Sequence, residues 1–279
     1  MEATKRLVVL GGGESGVGAA VLGKVKGMDV FLSDMGMIAP KYKEMLDEHH
    51  IAWEEGQHTT DKILAADEVI KSPGIPFSGP IVQQLIAQGT PIISEIEFAA
   101  RYTQAKMICI TGSNGKTTTT SLIFDMLRRA GLDVGLAGNI GNSLALQVAQ
   151  EDHAYYVIEL SSFQLDNCYD FKADIAILLN ITPDHLDRYD YQFQNYVDAK
   201  FRITRNQTAE DAFIYWSEDP IIDREIARIH PQATLYPFGS QEQNVAYTNG
   251  KQLIVSAHDE VAPLAVPLEE LSLQGKHNQ

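Results

Sequence analysis

Cysteine is scarce. The 279 residues hold two, Cys109 and Cys168, far apart and outside any CxxC pair. A disulfide framework and a structural thiolate zinc site are therefore excluded, and a reducing cytoplasm is the expected location. Long apolar runs are also missing. No stretch approaches the ~20 apolar residues that span a bilayer. The opening MEATKRLVVLGGG has no apolar segment followed by a small-residue cleavage site. Basic residues are in the minority, 22 against 37 acidic ones, for a net charge of −15. General affinity for nucleic acid or an anionic membrane draws on Lys and Arg, so neither partner is expected. One local basic site for a phosphorylated ligand is not excluded by that balance. There is no internal repeat and no low-complexity segment, and a monomer is the expected state.

What is present is a globular α/β pattern. Hydrophobic residues make up 44% and charged residues 21%, enough to fill a core without staples. At roughly 100–200 residues per domain, the length suggests two domains. Residues 6–10 (RLVVL) read as a strand before a glycine turn, followed by a helix from about Ser15. Strands are expected at 29–32, 68–70 and 91–93, and helices at 40–49 and 80–88. A second series starts at Lys106, with strands at 107–110, 134–137, 155–159, 175–179, 212–215 and 234–236. A helix should follow the loop at 112–115 and run to about Arg129. Alternating strands and helices imply mostly parallel sheets covered on both faces. The boundary is expected near 101–106, giving domains 1–103 and 104–279. From Asn244 onward, polar and apolar residues alternate and suggest a hairpin with Asn249-Gly250 at its turn.

Two glycine motifs carry chemistry. Gly11-Gly12-Gly13-Glu14-Ser15-Gly16 fits G-x-G-x-x-G between a strand and a helix, and Asp34 ends the next strand. Glycines there let backbone amides approach a phosphate at a helix N-terminus. That geometry serves any nucleotide diphosphate and does not select NAD. Ser72-Pro73-Gly74 follows a strand and by itself is a rigid turn. The second motif, Thr111-Gly112-Ser113-Asn114-Gly115-Lys116-Thr117-Thr118, joins an apolar strand to a helix. Its amides can form an anion nest, Lys116 can bridge phosphates, and Thr117 can ligate Mg²⁺. The general pattern G-x-x-x-x-G-K-[ST] would place glycine at 110, where this chain has Ile110.

A loop reading T-G-x-N-G-K-T resembles that of the Mur ligase and folylpolyglutamate synthase superfamily. Other segments are similar to family motifs in the expected order. Residues 159–166 (ELSSFQLD) resemble a stretch of the D-glutamate-adding member. Residues 180–189 (NITPDHLDRY) resemble N-x-x-x-D-H-x-D-R, and 196–200 (YVDAK) the helix bearing a carbamylated lysine. Gly138-Asn139-Ile140-Gly141 matches a G-N-I-G turn, and Gly275-Lys276-His277-Asn278 a G-x-H-N turn near the nucleotide.

The resemblance implies a Rossmann-like N-terminal domain that binds a UDP-sugar, then a P-loop-type central ATPase domain. It implies ATP and Mg²⁺ as cofactors, and an ATP-dependent ligase joining D-glutamate to UDP-N-acetylmuramoyl-L-alanine for peptidoglycan. By that resemblance Lys116, Glu159, His185 and Lys200 are catalytic. Gly112, Ser113, Asn114, Gly115, Lys116, Thr117, Thr118 and Asn278 bind ATP. Ser15, Gly16, Asp34, Ser72, Pro73, Gly74, Asn139, Ser161, Gln164 and His185 hold the sugar nucleotide. Thr117 and Glu159 ligate one Mg²⁺; His185 and carbamylated Lys200 ligate a second. The family places a third domain after the G-x-H-N turn, so residues 1–279 alone should bind substrate without forming the amide. Where the family has Thr and Arg after the aspartate at 34, this chain has Met35-Gly36, and Trp216-Ser217-Glu218-Asp219 replaces N-x-D-D. Three rivals stand beside this reading. An NAD-dependent oxidoreductase leaves the second loop unexplained. An ATP-dependent switch leaves the histidine–lysine pair unexplained. A sister ligase with another amino acid is opposed by Ser161 to Leu165.

Overall fold

The computed structural model describes residues 4–256 and 262–271. Its first sheet contains β1 (Arg6–Leu10), β2 (Asp29–Asp34), β3 (Ala52–Glu55), β4 (Glu68–Lys71) and β5 (Ile92–Ile93). The order is β3-β2-β1-β4-β5, parallel throughout. Helices α1 (Glu14–Val25), α2 (Pro40–Glu48), α3 (Thr60–Leu64), α4 (Pro80–Gln88) and α5 (Glu95–Ala100) connect the strands or follow the last of them. Leu7 to Leu10 of β1 are fully buried, as a parallel strand covered on both faces requires. Strand order reverses between β1 and β4, so the loops leaving these two strands border one crevice, where α/β folds bind ligands. Gly16 is fixed by contact: a Cβ there would lie 1.9 Å from the Gly11 carbonyl oxygen. Only glycine lets α1 start this close to β1.

The second sheet is larger. It comprises β6 (Lys106–Thr111), β7 (Val134–Gly138), β8 (Tyr155–Glu159), β9 (Ile175–Leu178), β10 (Ala212–Trp216), β11 (Thr234–Gly239), β12 (Ala246–Thr248), β13 (Gln252–Val255) and β14 (Leu264–Pro267). The order is β14-β13-β12-β11-β10-β9-β6-β8-β7, with only the β12–β13 and β13–β14 pairs antiparallel. Helices α6 (Lys116–Arg129), α7 (Leu144–Gln150), α8 (Ser162–Leu165), α9 (Phe193–Phe201) and α10 (Pro220–Ile229) accompany it. The expected hairpin is β12–β13. Asn249 Oδ1 accepts from the amides of Lys251 (3.0 Å) and Gln252 (2.8 Å), and Gly250 takes a φ of +83°. In the Trp216-to-Asp219 segment, Asp219 caps α10 through the Ile221 amide (2.8 Å) and also accepts from the Ile181 amide (2.8 Å). That carboxylate ties the end of β10 to the segment after β9.

The two sheets are stitched together through α5 and α1. Glu97 is 1% exposed and accepts from the amides of Tyr169 (2.9 Å) and Phe171 (2.8 Å). Glu95 accepts from the Ser143 hydroxyl and the Ala145 amide, both at 2.7 Å. Leu22 and Phe98 share one continuous apolar cluster with Leu144 and Tyr156. Where α1 crosses α7, a Cβ on Gly18 would meet Ser143 Oγ at 2.1 Å.

Candidate functional site

The residues at 112–115 leave β6 and enter α6. Gly112 (φ +155°) and Gly115 (φ +84°) occupy backbone conformations that L side chains rarely take. The neighbouring segment clamps the loop. The Ser113 amide donates to the Asn180 carbonyl, the Asn114 amide donates to Asn180 Oδ1, and the Ser113 hydroxyl donates to the Thr182 carbonyl, each at 2.9 Å. The Tyr196 hydroxyl lies 3.0 Å from Ser113 Oγ. The loop is therefore rigid before any anion arrives, and the unpaired amides of the first turn of α6 add positive potential. Lys116 folds over the loop, donating to the carbonyls of Gly112 (2.9 Å) and Ser113 (3.0 Å).

At the end of β8, Glu159 is 1% exposed. The Thr117 hydroxyl donates to one of its oxygens (2.9 Å) and the Asn139 amide to the other (2.8 Å). A buried carboxylate beside a hydroxyl is a hard oxygen donor set, and it fits Mg²⁺ with phosphate and water oxygens completing the shell.

Lys200 projects from α9, 2% exposed, and donates to the Gly112 carbonyl at 2.8 Å. Lys116 donates to that same oxygen, so two ammonium groups compete at one acceptor. Burial, followed by the Lys116 charge, lowers the Lys200 pKa to about 7, while Asp184 pulls the other way. As an amine, Lys200 does not fit a hard cation; as a carbamate it would. His185 sits at φ +47°, its Nε2 3.4 Å from Asp184 and its ring 5.3 Å from Phe163. Among the described residues no group of three His, Cys, Asp or Glu side chains is arranged to hold a metal. A second cation at His185 would therefore depend on the modified lysine.

Several of these groups border a cleft of about 300 Å³, lined by Lys116, Asn139, Ser161, His185 and Lys200 from the second sheet's side and by Pro73 and Gly74 from the first. The remaining candidates are distributed elsewhere. Ser15 and Gly16 lie in the first turn of α1. Ser72 packs against Gly11, where a glycine Cβ would meet its Oγ at 2.3 Å. Asp34 accepts from the amides of Gly12 and Gly36, so its carboxylate holds the glycine loop. Ser161 and Gln164 form a reciprocal capping box at the start of α8, and this motif is structural at least in part. Thr118 is exposed on α6. Asn278 and the turn around it lie outside the described residues. Lys71 lies in no sequence motif, and Arg188 fills the arginine position of the 180–189 motif without a role assigned from sequence. Arg188 donates to the Pro73 carbonyl (3.1 Å) and stacks over Phe163 (4.4 Å). Lys71 is a buried cation behind the Ser72 loop.

A glycine loop opening α6, a buried carboxylate–hydroxyl pair and a buried lysine face the turn that leaves β4 across one cleft of a two-sheet α/β fold. The family model described as Mur ligase middle domain matches residues 110–279, and the chain belongs to that family. A second model, Mur ligase MurD-like N-terminal domain, matches residues 5–94. The chain is 64% identical over 278 residues to a UDP-N-acetylmuramoylalanine--D-glutamate ligase of Bacteroides fragilis, covering 98% of this chain and 62% of the relative. It is 58% identical over 276 residues to the equivalently named protein of Porphyromonas gingivalis, covering 98% and 61%. The chain thus spans about 62% of the length of the curated relative from B. fragilis. Its fold is similar to UDP-N-acetylmuramate:L-alanyl-gamma-D-glutamyl-meso-diaminopimelate ligase from Neisseria meningitides, with TM-score 0.66 and 19% identity, covering 99% of this chain and 90% of that one. It is also similar to UDP-N-acetylmuramate-alanine ligase from Thermotoga maritima, with TM-score 0.55 and 20% identity, covering 99% and 62%. Among the described residues no helix is long and apolar enough to cross a membrane.

Proposed function

We propose that the chain is the nucleotide- and sugar-binding part of an ATP-dependent ligase that joins D-glutamate to UDP-N-acetylmuramoyl-L-alanine. Residues 1–103 hold the sugar nucleotide and residues 104–279 hold ATP. The observation that carries this reading is the cleft where Lys116, Asn139, His185 and Lys200 face Pro73 and Gly74. It brings a phosphate-binding loop within reach of a ligand held by the first sheet. The names of the relatives and the segment from Glu159 to Asp166 support D-glutamate as the amine.

The unpaired amides at the start of α6 and Lys116 hold the β- and γ-phosphates of ATP and align the γ-phosphorus with the substrate carboxylate. A carboxylate oxygen attacks that phosphorus, the bond to the β-bridging oxygen breaks, and ADP departs, leaving an acyl phosphate. The amine of D-glutamate then attacks the acyl carbon. Inorganic phosphate leaves, the amine loses a proton, and an amide remains. Most of the barrier reduction comes from positioning and from neutralising phosphoryl charge. Thr117 and Glu159 would hold one Mg²⁺, and His185 and carbamylated Lys200 a second; bound there, the cations would supply neutralisation of the developing negative charge. Asn139 contacts the sugar nucleotide on this reading, while its side-chain amide donates to Glu159. In the complete protein, phosphate release should require ATP, D-glutamate and UDP-N-acetylmuramoyl-L-alanine together. Release that proceeds equally well without D-glutamate would contradict the assignment.

A further inference from the structure

The turn at residues 72–75 has an unusual support. Lys71, 2% exposed at the end of β4, donates to the carbonyls of Ile75 (2.9 Å) and Ser72 (3.4 Å). Arg188 reaches from the second sheet's side and donates to the carbonyls of Pro73 (3.1 Å), Gly74 (3.4 Å) and Ile75 (3.5 Å). Two cations therefore occupy all four carbonyl oxygens of the turn. Among its donors, the Ser72 amide is bonded to the Leu10 carbonyl and the Ile75 amide to the Ser72 carbonyl. Pro73 has no N–H. The Gly74 N–H and the Ser72 hydroxyl have no partner among the described residues. Ser72 also packs against Gly11, across the β1/β4 switch point from the loop that leads into α1.

We propose that Lys71 and Arg188 are positioning residues for the sugar nucleotide. They engage the carbonyls of the turn so that its free donors, the Gly74 N–H and the Ser72 hydroxyl, face a phosphate of the ligand in a positive field. The inference rests on the reading of the first sheet as the sugar-nucleotide site. A peptide turn with free carbonyls repels an anion, whereas one whose carbonyls are bonded to two cations attracts it. Arg188 keeps its charge at any working pH. Burial, and then the Arg188 charge, brings the Lys71 pKa to about 8, so Lys71 is largely protonated at neutral pH. Arg188 also lies over Phe163, whose ring is 5.3 Å from His185, so the turn and the catalytic segment share one support.

The test is calorimetric titration of the complete protein and of Lys71→Met, Arg188→Met, Lys71→Arg and Arg188→Lys. The ligands are UDP-N-acetylmuramoyl-L-alanine and, separately, a non-hydrolysable ATP analogue. Each methionine variant should weaken UDP-sugar binding by roughly tenfold or more, the scale of a hydrogen bond to a charged group. Affinity for the ATP analogue should stay unchanged, and the variants that keep the charge should recover most of the loss. A turn that is only scaffold would lose both ligands together, without rescue by charge, and that result overturns the proposal. Unchanged UDP-sugar affinity in the methionine variants overturns it as well. If the parent protein binds the ATP analogue but no UDP-sugar, the reading of the first sheet falls, and the inference falls with it.

Discussion

At the scale of single residues, the site turns on two lysines that share one carbonyl. Lys116 and Lys200 both donate to the Gly112 oxygen, at 2.9 and 2.8 Å. Lys116→Ala should abolish binding of a non-hydrolysable ATP analogue while leaving the circular dichroism spectrum intact, because the lysine's bonds are to loop carbonyls and not to the core. Unchanged affinity in that titration would remove Lys116 from its role. For Lys200, the pKa of about 7 means that the neutral amine is well populated at physiological pH. Only the neutral amine adds to carbon dioxide, and this addition releases a proton and leaves an anionic carbamate. In the complete protein, Lys200→Ala should reduce turnover by about 100-fold or more, the upper range for disturbing a metal site. Added formate or acetate should restore part of it. Full activity without any carboxylate would contradict the ligand role.

At the scale of elements, the sequence disclosed the regular parts and missed the parts whose polar residues are buried. Strands such as RLVVL at 6–10 and MICI at 107–110 announce themselves by unbroken apolar residues, and α6 by the glycine loop before it. β3 and α5 gave no such signal. Their sequences, AWEE and EIEFAA, interrupt the apolar pattern with carboxylates, yet Glu54, Glu95 and Glu97 are all buried. Each is satisfied by hydrogen bonds from residues distant in sequence or across a turn: Glu54 by Ser33 and Thr59, Glu95 by Ser143 and Ala145, Glu97 by Tyr169 and Phe171. Local patterning cannot display partners that only the fold brings together. The same reason hid Lys71 and the contacts of Arg188 with the 72–75 turn, whereas the motif residues at 112–118, 159 and 185, and Arg188 itself, were visible because their spacing along the chain is itself the signal. Glu95 also gives a pH test. Burial first, opposed by its hydrogen bonds and assisted by the Glu14 charge, raises its pKa from 4.5 to about 7. Between those values the folded state binds more protons than the unfolded one, so this group's contribution to stability declines as pH rises through that window. Glu95→Gln does not titrate. Its melting temperature relative to the parent should therefore climb by several degrees between about pH 5 and about pH 8, the size expected when a buried carboxyl is forced to ionise. A difference that stays constant across the window would show that Glu95 ionises normally.

At the scale of the whole molecule, the proposed reaction needs the two sheets to act as one body. Glu95, Glu97 and the close crossing of α1 and α7 at Gly18 fix the first sheet against the second, and Arg188 spans the cleft between the Pro73–Gly74 turn and the His185 segment. Gly18→Val should weaken this junction, because the added side chain would enter space held by Ser143, which caps α7. A loss of about 1–3 kcal/mol is expected for such overpacking. Chemical denaturation would measure it, and an unchanged midpoint would show that the crossing can relax. On the proposed function the first sheet holds a uridine diphosphate sugar, although its glycine loop also matches the pattern of a dinucleotide site. The most direct measurement is a calorimetric titration of the protein with UDP-N-acetylmuramoyl-L-alanine beside one with NAD. Saturable heat is expected with the sugar nucleotide and none with NAD; binding of NAD with no response to the sugar nucleotide would overturn the assignment of the first sheet.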